Sequence, residues 1–341
     1  MKTIPSGACA SGVKFTVADF YEAGRERLRL TLLVGGKGLS REIEEPMANR
    51  PGLALTGFFE HYASKRLQVI GNSEHAYMQS LPKAKRLEVI EAMIAHGTMC
   101  VIFTNGRKPD LDEIPQAEER GIVLMSTPFP TGDFIHNLTF VLERLGAPRT
   151  SLYGTMVEVH GLGIMFEGDP GLGKSETALG LVKRGHALVA DDMTCIRKDV
   201  ANDMLFGSAS DSTAGFMEIR GIGIMHIPSV FGISSVRGEK RLHLVVTFKL
   251  LNQIKGEIDR VGQVRHYKTI LGVKIPQVVI PVSEGRDLVN LVETAAQQQK
   301  VLLSGCDPVH ELSERLRLRA VPNKPSVEVE NRKRKGKING R

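Results

Sequence analysis

The feature that most constrains this chain is the octapeptide Gly168-Asp169-Pro170-Gly171-Leu172-Gly173-Lys174-Ser175, a complete G-x-x-x-x-G-K-[ST] phosphate loop. It follows the apolar run Gly163-Ile164-Met165-Phe166 and leads into residues 175–182, where alanine and leucine recur at helical spacing. Strand, glycine loop and helix therefore stand in the order such a loop requires. Glycines let successive backbone N–H groups turn towards phosphate oxygens, and a helix N-terminus adds favourable partial charge. Lys174 supplies a full positive charge and Ser175 a hydroxyl for a magnesium ion. An ordinary glycine-rich turn would not need Lys174 and Ser175 together, so the pattern predicts an α/β fold that holds a nucleotide's phosphates.

With 341 residues, 42% hydrophobic and 24% charged, the chain is long enough for two domains with cores of their own. Short apolar runs alternate with helical patterns at 67–70, 87–93, 100–103, 122–125 and 134–145. This predicts an N-terminal α/β domain over residues 1–146 with a parallel sheet. Gly146-Ala147-Pro148-Arg149 is a turn-prone boundary, and 147–320 reads as a nucleotide-binding domain rich in β-structure. There, 151–160 and 163–168 read as two strands joined by Gly161-Leu162. Further strands are expected at 187–190, 222–225, 242–246 and 277–280, then a helix from Leu288 closed by Gly305.

The net charge of +7 suggests a polyanion partner until it is located. Residues 331–341 alone carry six basic side chains and no acid. The basic character therefore belongs to a tail, 321–341, read as disordered and solvated. With no Trp and 5% aromatics there is no stacking surface for single-stranded nucleic acid, which is not an expected partner. Cys9, Cys100, Cys195 and Cys306 lack C-x-x-C spacing, which fits neither a zinc site nor a disulfide framework. No apolar run approaches about 18 residues, so no membrane association is expected and the cytoplasm is the expected location.

Strand 187–190 runs into Asp191-Asp192, eighteen residues beyond Lys174. In open α/β sheets working residues gather at the C-terminal ends of strands, which brings both carboxylates beside the phosphates. One acid can enter a metal's ligand shell while the other accepts the proton of an attacking hydroxyl. Glu218 is equally readable as a metal ligand or a half-exposed strand residue. Arg260, beside Asp259, is readable as a working cation or a surface ion pair of little energetic weight.

The phosphate loop continued through Glu176-Thr177-Ala178, Arg184-Gly185-His186 and Ala190-Asp191-Asp192 resembles the HPr kinase/phosphorylase family. So do Glu218-Ile219-Arg220-Gly221-Ile222-Gly223-Ile224, Asp259-Arg260-Val261-Gly262 and residues 280–288, and in the N-terminal half residues 50–57 and 68–74. The resemblance covers about residues 13–305. It implies an enzyme that phosphorylates a serine of the phosphocarrier protein HPr with ATP and Mg2+. It also implies removal of that group by phosphorolysis, giving pyrophosphate. The implied fold is an N-terminal α/β domain plus a C-terminal P-loop kinase core related to phosphoenolpyruvate carboxykinase, assembled as a homo-hexamer. By position, residues 168–175 would cradle the phosphates, with Lys174 on the β- and γ-phosphates, and Ser175 and Glu218 would coordinate magnesium. Asp192 would be the base in the forward direction and the acid in reverse, and Arg260 would steady the transferring group. Residues 281–286 would serve phosphorolysis.

Two departures stand out. Tyr153 occupies the family's histidine position and His160 an aromatic one. These positions differ by seven, so on a regular strand they face opposite sides, and His160 is not expected to replace the missing imidazole. Tyr153 cannot carry positive charge at neutral pH, so phosphorolysis is expected to be impaired. Pro170 stands where serine is usual and removes one loop N–H, which is expected to weaken nucleotide binding. These departures motivate one rival, a kinase of the same fold acting on another protein or a small molecule; a second rival, from another class, is a nucleotide-sensing regulator that binds ATP without transfer. Intact Lys174 and Asp192 argue against the second.

Overall fold

The computed structural model describes residues 14–111, 114–253, 265–283 and 285–320. The first half contains α1 (Val17–Gly24), β1 (Thr31–Val34), β2 (Ala48–Asn49), α2 (Gly52–Leu55), β3 (Leu67–Ile70), α3 (Asn72–Ser80), α4 (Lys83–Ala95), β4 (Cys100–Phe103), α5 (Ile114–Glu119), β5 (Val123–Ser126) and α6 (Thr131–Gly146). Strands β2, β3, β4 and β5 pair in parallel and β1 joins antiparallel, in the order β1-β5-β4-β3-β2. Every residue of β3 and β5 is buried, as a parallel sheet covered on both faces requires. Phe20 of α1 and Phe134 and Leu138 of α6 pack on one face, while Met78, Val89 and Met93 of α3 and α4 pack on the other.

The second half contains β6 (Arg149–Tyr153), β7 (Thr155–Val159), β8 (Leu162–Glu167), α7 (Lys174–Lys183), β9 (Ala187–Ala190), β10 (Met193–Asp199), β11 (Met204–Ser208), β12 (Phe216–Ile219), β13 (Gly223–His226), α8 (Ile227–Phe231), β14 (Glu239–Leu250), β15 (His266–Ile270), β16 (Val273–Val282), α9 (Leu288–Leu303) and α10 (Pro308–Ala320). β14 is the spine. It pairs parallel to β8 on one edge and to β16 on the other, and its N-terminal part pairs antiparallel to β11. β7 lies antiparallel between β8 and β9, so β8, β9, β14 and β16 all end at one edge. Helices α7 and α9 cover one face, closing a core of Phe166, Leu181, Val246, Phe248 and Val292. Among the described residues, no helix is long and apolar enough to cross a membrane.

The single strand expected over 151–160 is two strands. The chain breaks at Gly154, buried with φ 159°, where a Cβ would lie 2.4 Å from the carbonyl oxygen of Phe166. β6 goes on to pair with β10, whereas β7 pairs with β8 and β9. The parity argument relating positions 153 and 160 therefore fails, because no regular strand connects them.

A bulge in β14 sits opposite Gly163, whose N–H donates to His243 Nδ1 at 3.1 Å. Burial, reinforced by Arg241 and Lys240, pushes the His243 imidazole down to about 4. The folded-state value lies below that of the unfolded chain, so the stabilisation is complete above about pH 6.5 and declines as pH falls towards 4. His243→Asn retains an acceptor for the Gly163 N–H without titrating. Its urea midpoint should fall less than the wild type's between pH 7 and 4.5, by the equivalent of about 1–3 kcal/mol. Parallel slopes would refute this role.

Candidate active site

The phosphate loop leaves β8 at the shared strand edge with Gly168, Gly171 and Gly173 all in the positive-φ region, at 145°, 90° and 82°. Gly173 is the left-handed N-cap of α7, and Lys174 is its first residue. This arrangement aims loop and helix N–H groups at one point, as an anion requires. The loop from Gly168 to Gly171 is solvent-exposed. The Lys174 amine donates to the carbonyls of Gly168 and Asp169 at 2.9 and 3.0 Å, holding it over the loop. Pro170 contributes no N–H, so the loop's donors are the remaining amides.

The two adjacent aspartates differ sharply. Asp191 is buried and accepts from three sides: Thr155 Oγ1 at 2.8 Å, Ser175 Oγ at 3.1 Å and the Glu218 backbone N–H at 3.3 Å. Burial pushes its carboxyl above the usual range and the charge of Asp192 adds to this, while Thr155, Ser175 and Glu218 oppose it. Asp191 therefore ties the start of α7 to β7 and β12. Asp192 is exposed, with φ 58°, at the sharp turn between β9 and β10. Its backbone is fixed by a 2.8 Å bond from the Gly154 N–H to its carbonyl. One acid is an anchor with its lone pairs engaged; the other presents its carboxylate to solvent.

Tyr153 is 84% exposed and lies opposite Met193, the residue after Asp192, in the β6–β10 register. Glu218 is exposed on β12, with its backbone on the Asp191 carboxylate. Lys174, Ser175, Asp191, Asp192, Glu218 and Tyr153 thus gather around one edge. Arg260 lies outside the described residues, as does Glu284 of the 281–286 stretch. The rest of that stretch leaves the end of β16, where Val282 pairs with Leu250 of β14. His160 occupies the β7–β8 turn at the opposite edge, so its separation from the loop follows from strand direction.

Sequence reasoning missed three residues. Thr155 is invisible because its partner depends on the break at Gly154. Arg220 places its guanidinium 3.5 Å from where a Cβ on Gly171 would stand, a cation over the loop that only folding reveals. Glu167, the last residue of β8, accepts from Thr247 at 2.7 Å, from Gln277 at 3.0 Å and from Lys268, stitching β8, β14, β15 and β16 together beneath the loop.

The donor set suits a metal-bound nucleoside triphosphate: a glycine cradle that a Cβ would fill, a lysine, a hydroxyl held by a buried acid, and two further carboxylates. Residues 15–142 match the family described as HPr Serine kinase N terminus, and 144–316 that described as HPr Serine kinase C-terminal domain. The HPr kinase/phosphorylase of Leptospira biflexa is 41% identical over 290 residues, 85% of this chain and 90% of the relative. That of Geobacter sulfurreducens is 35% identical over 320 residues, 94% of this chain and 100% of the relative. The solved HPr(Ser) kinase/phosphatase from Coxiella burnetii is 27% identical, covers 49% of this chain and 98% of that one, and has a TM-score of 0.44.

Proposed function

The chain belongs to the HPr serine kinase family, a family of phosphotransferases acting on a serine of HPr, and we infer that its phosphate-loop site moves the γ-phosphoryl group of ATP to that serine with Mg2+ beside it. The observation that carries this reading is the division of labour between Asp191 and Asp192. The buried acid is occupied by three donors, leaving the exposed one to take the serine proton. In the forward step the serine oxygen attacks the γ-phosphorus, the bond from that phosphorus to the β–γ bridging oxygen breaks, and the serine proton passes to the Asp192 carboxylate. Lys174, the loop amides and Arg220 hold the phosphate oxygens. Ser175 and Glu218 would hold the metal, which when bound offsets phosphate charge, and Asp191 orients the Ser175 hydroxyl. Arg260 is assigned to the transferring group by its motif.

Exposed apolar side chains at Ile222 and Ile224 in the β12–β13 hairpin that carries Glu218, and at Val230 and Ile233 in the segment that follows it, are available for contact with a protein. HPr docking and homo-hexamer assembly are both assigned to this reading. In reverse, inorganic phosphate attacks the phosphoserine phosphorus, pyrophosphate forms, and Asp192 returns the proton to the serine oxygen. Tyr153, beside Asp192, offers a hydroxyl but no positive charge there. Assays in both directions with purified HPr test the reading. Tyr153→His should raise pyrophosphate formation from phospho-HPr about tenfold, equivalent to about 1.4 kcal/mol, and leave forward transfer within about threefold. An unchanged reverse rate would remove Tyr153 from the mechanism.

A further inference from the structure

Away from the phosphate loop, three side chains with no part in phosphoryl transfer converge at the opposite edge of the sheet. His160 lies in the β7–β8 turn, His186 in the connection from α7 to β9, and Glu293 on α9. One ligand atom from each lies within 4.8 Å of the other two. His186 Nε2 is 2.9 Å from Glu293 Oε1, and the His160 ring stands edge-on to His186 with centroids 4.7 Å apart. Helix α7, with ten residues spanning about 15 Å, separates this cluster from Ser175.

We propose that His160, His186 and Glu293 form a binding site for a divalent transition-metal ion of the zinc class. Two imidazoles and one carboxylate are a ligand set such ions favour and magnesium does not. On a tetrahedral ion with bonds of about 2.0–2.1 Å, neighbouring ligand atoms stand about 3.3 Å apart. The His186–Glu293 pair opens slightly to reach that spacing and His160 closes in. The three residues leave at least one position for water. Arg184 bonds the other carboxylate oxygen of Glu293 and so fixes the orientation of Oε1, as partners of metal ligands commonly do. Asp287, 3.5 Å from Arg184, offsets part of that positive charge. The Gln297 amide, 3.4 Å from His160 Nε2, is at the outer limit of a hydrogen bond and yields readily. Binding requires the His186 Nε2 lone pair to face the metal, so the hydrogen bond between His186 and Glu293 gives way.

The turn itself bears on His160. Val159 pairs with Leu162 across a two-residue loop in which His160 and Gly161 have φ of 50° and 86°. Asn-Gly suits such a loop best, so the backbone does not account for a histidine in first position. Bound metal would clip this hairpin to the α7–β9 connection and to α9.

His160→Asn is the discriminating variant, because it improves the turn while removing an imidazole. The full chain, stripped of metal, is titrated with Zn2+ against a chromophoric chelator in the absence of nucleotide. Wild type should take up one equivalent more tightly than His160→Asn by at least about tenfold, and Glu293→Gln should lose the same equivalent. Zn2+ should raise the melting temperature of wild type and not that of His160→Asn. Zinc held by cysteines or by the phosphate loop would persist equally in all variants. Equal affinity in wild type and His160→Asn, or no binding by wild type, would overturn the site.

Discussion

Asp192→Asn should lower kcat for phosphoserine formation by about a hundred- to ten-thousand-fold, the range for loss of a general base, with ATP affinity within about threefold of wild type. Its left-handed backbone, φ 58°, is one that asparagine adopts readily, so the turn between β9 and β10 survives the change. The Gly154 N–H bonds the backbone carbonyl at this position and does not involve the side chain. The loss therefore reports on proton transfer. Asp191→Asn is the informative contrast. Its amide would face either the Glu218 N–H or both hydroxyls, which now donate to the same carboxylate oxygen, leaving a buried donor without an acceptor. That variant should be less stable and should bind metal-nucleotide more weakly, raising KM as well as lowering kcat. A pure kcat loss in Asp191→Asn with a silent Asp192→Asn would reverse the two roles.

Gly168→Ala should remove about 2–4 kcal/mol of stability and weaken ATP binding at least tenfold. A Cβ there would lie 2.5 Å from the carbonyl oxygen of Phe248, in a conformation with φ 145°. Phe248 cannot retreat, because its strand β14 is paired on both edges and its ring stacks on Phe166 with centroids 5.7 Å apart. The loop must move instead, and its amides lose their common focus. Gly185→Ala is the control: φ is 92° but nothing lies within 4 Å of the added atom, so only backbone strain of about 1–2 kcal/mol applies. Urea unfolding with and without ATP separates the effects, since only Gly168→Ala should lose the stabilisation that nucleotide confers.

Much of the architecture was legible because local pattern and final environment agree. The phosphate loop, the buried strand at 187–190 and the helix from Leu288 follow from glycine placement, apolar runs and helical spacing that nothing in the tertiary structure overrides. Strand β14 is legible only over 242–246, because it begins with three consecutive charged residues, Glu239-Lys240-Arg241, and carries Lys249 near its other end, which interrupt the apolar run. The division at Gly154 was hidden for another reason. A glycine within such a run leaves periodicity intact, and only the close approach of the Phe166 carbonyl and the different partners of β6 and β7 in the sheet reveal the break.

The site was legible to a similar depth. Lys174, Ser175 and the aspartate pair announce themselves by residue type and spacing, and the structure brings them to one edge with Tyr153 and Glu218. Which aspartate is buried was not legible, because burial depends on Thr155 and on the Glu218 backbone, parts of two distant strands. Arg220 over Gly171 and the Glu167 network are hidden for the same reason: each is a meeting of segments remote in sequence.

Transfer to HPr is tested most simply by a single round of reaction from ATP labelled at the γ-phosphate to purified HPr, with Mg2+, followed by identification of the labelled residue. Wild type should place the label on one HPr serine, and Asp192→Asn should place almost none there at saturating ATP. Wild-type protein that binds ATP yet leaves HPr unlabelled would contradict transfer to HPr.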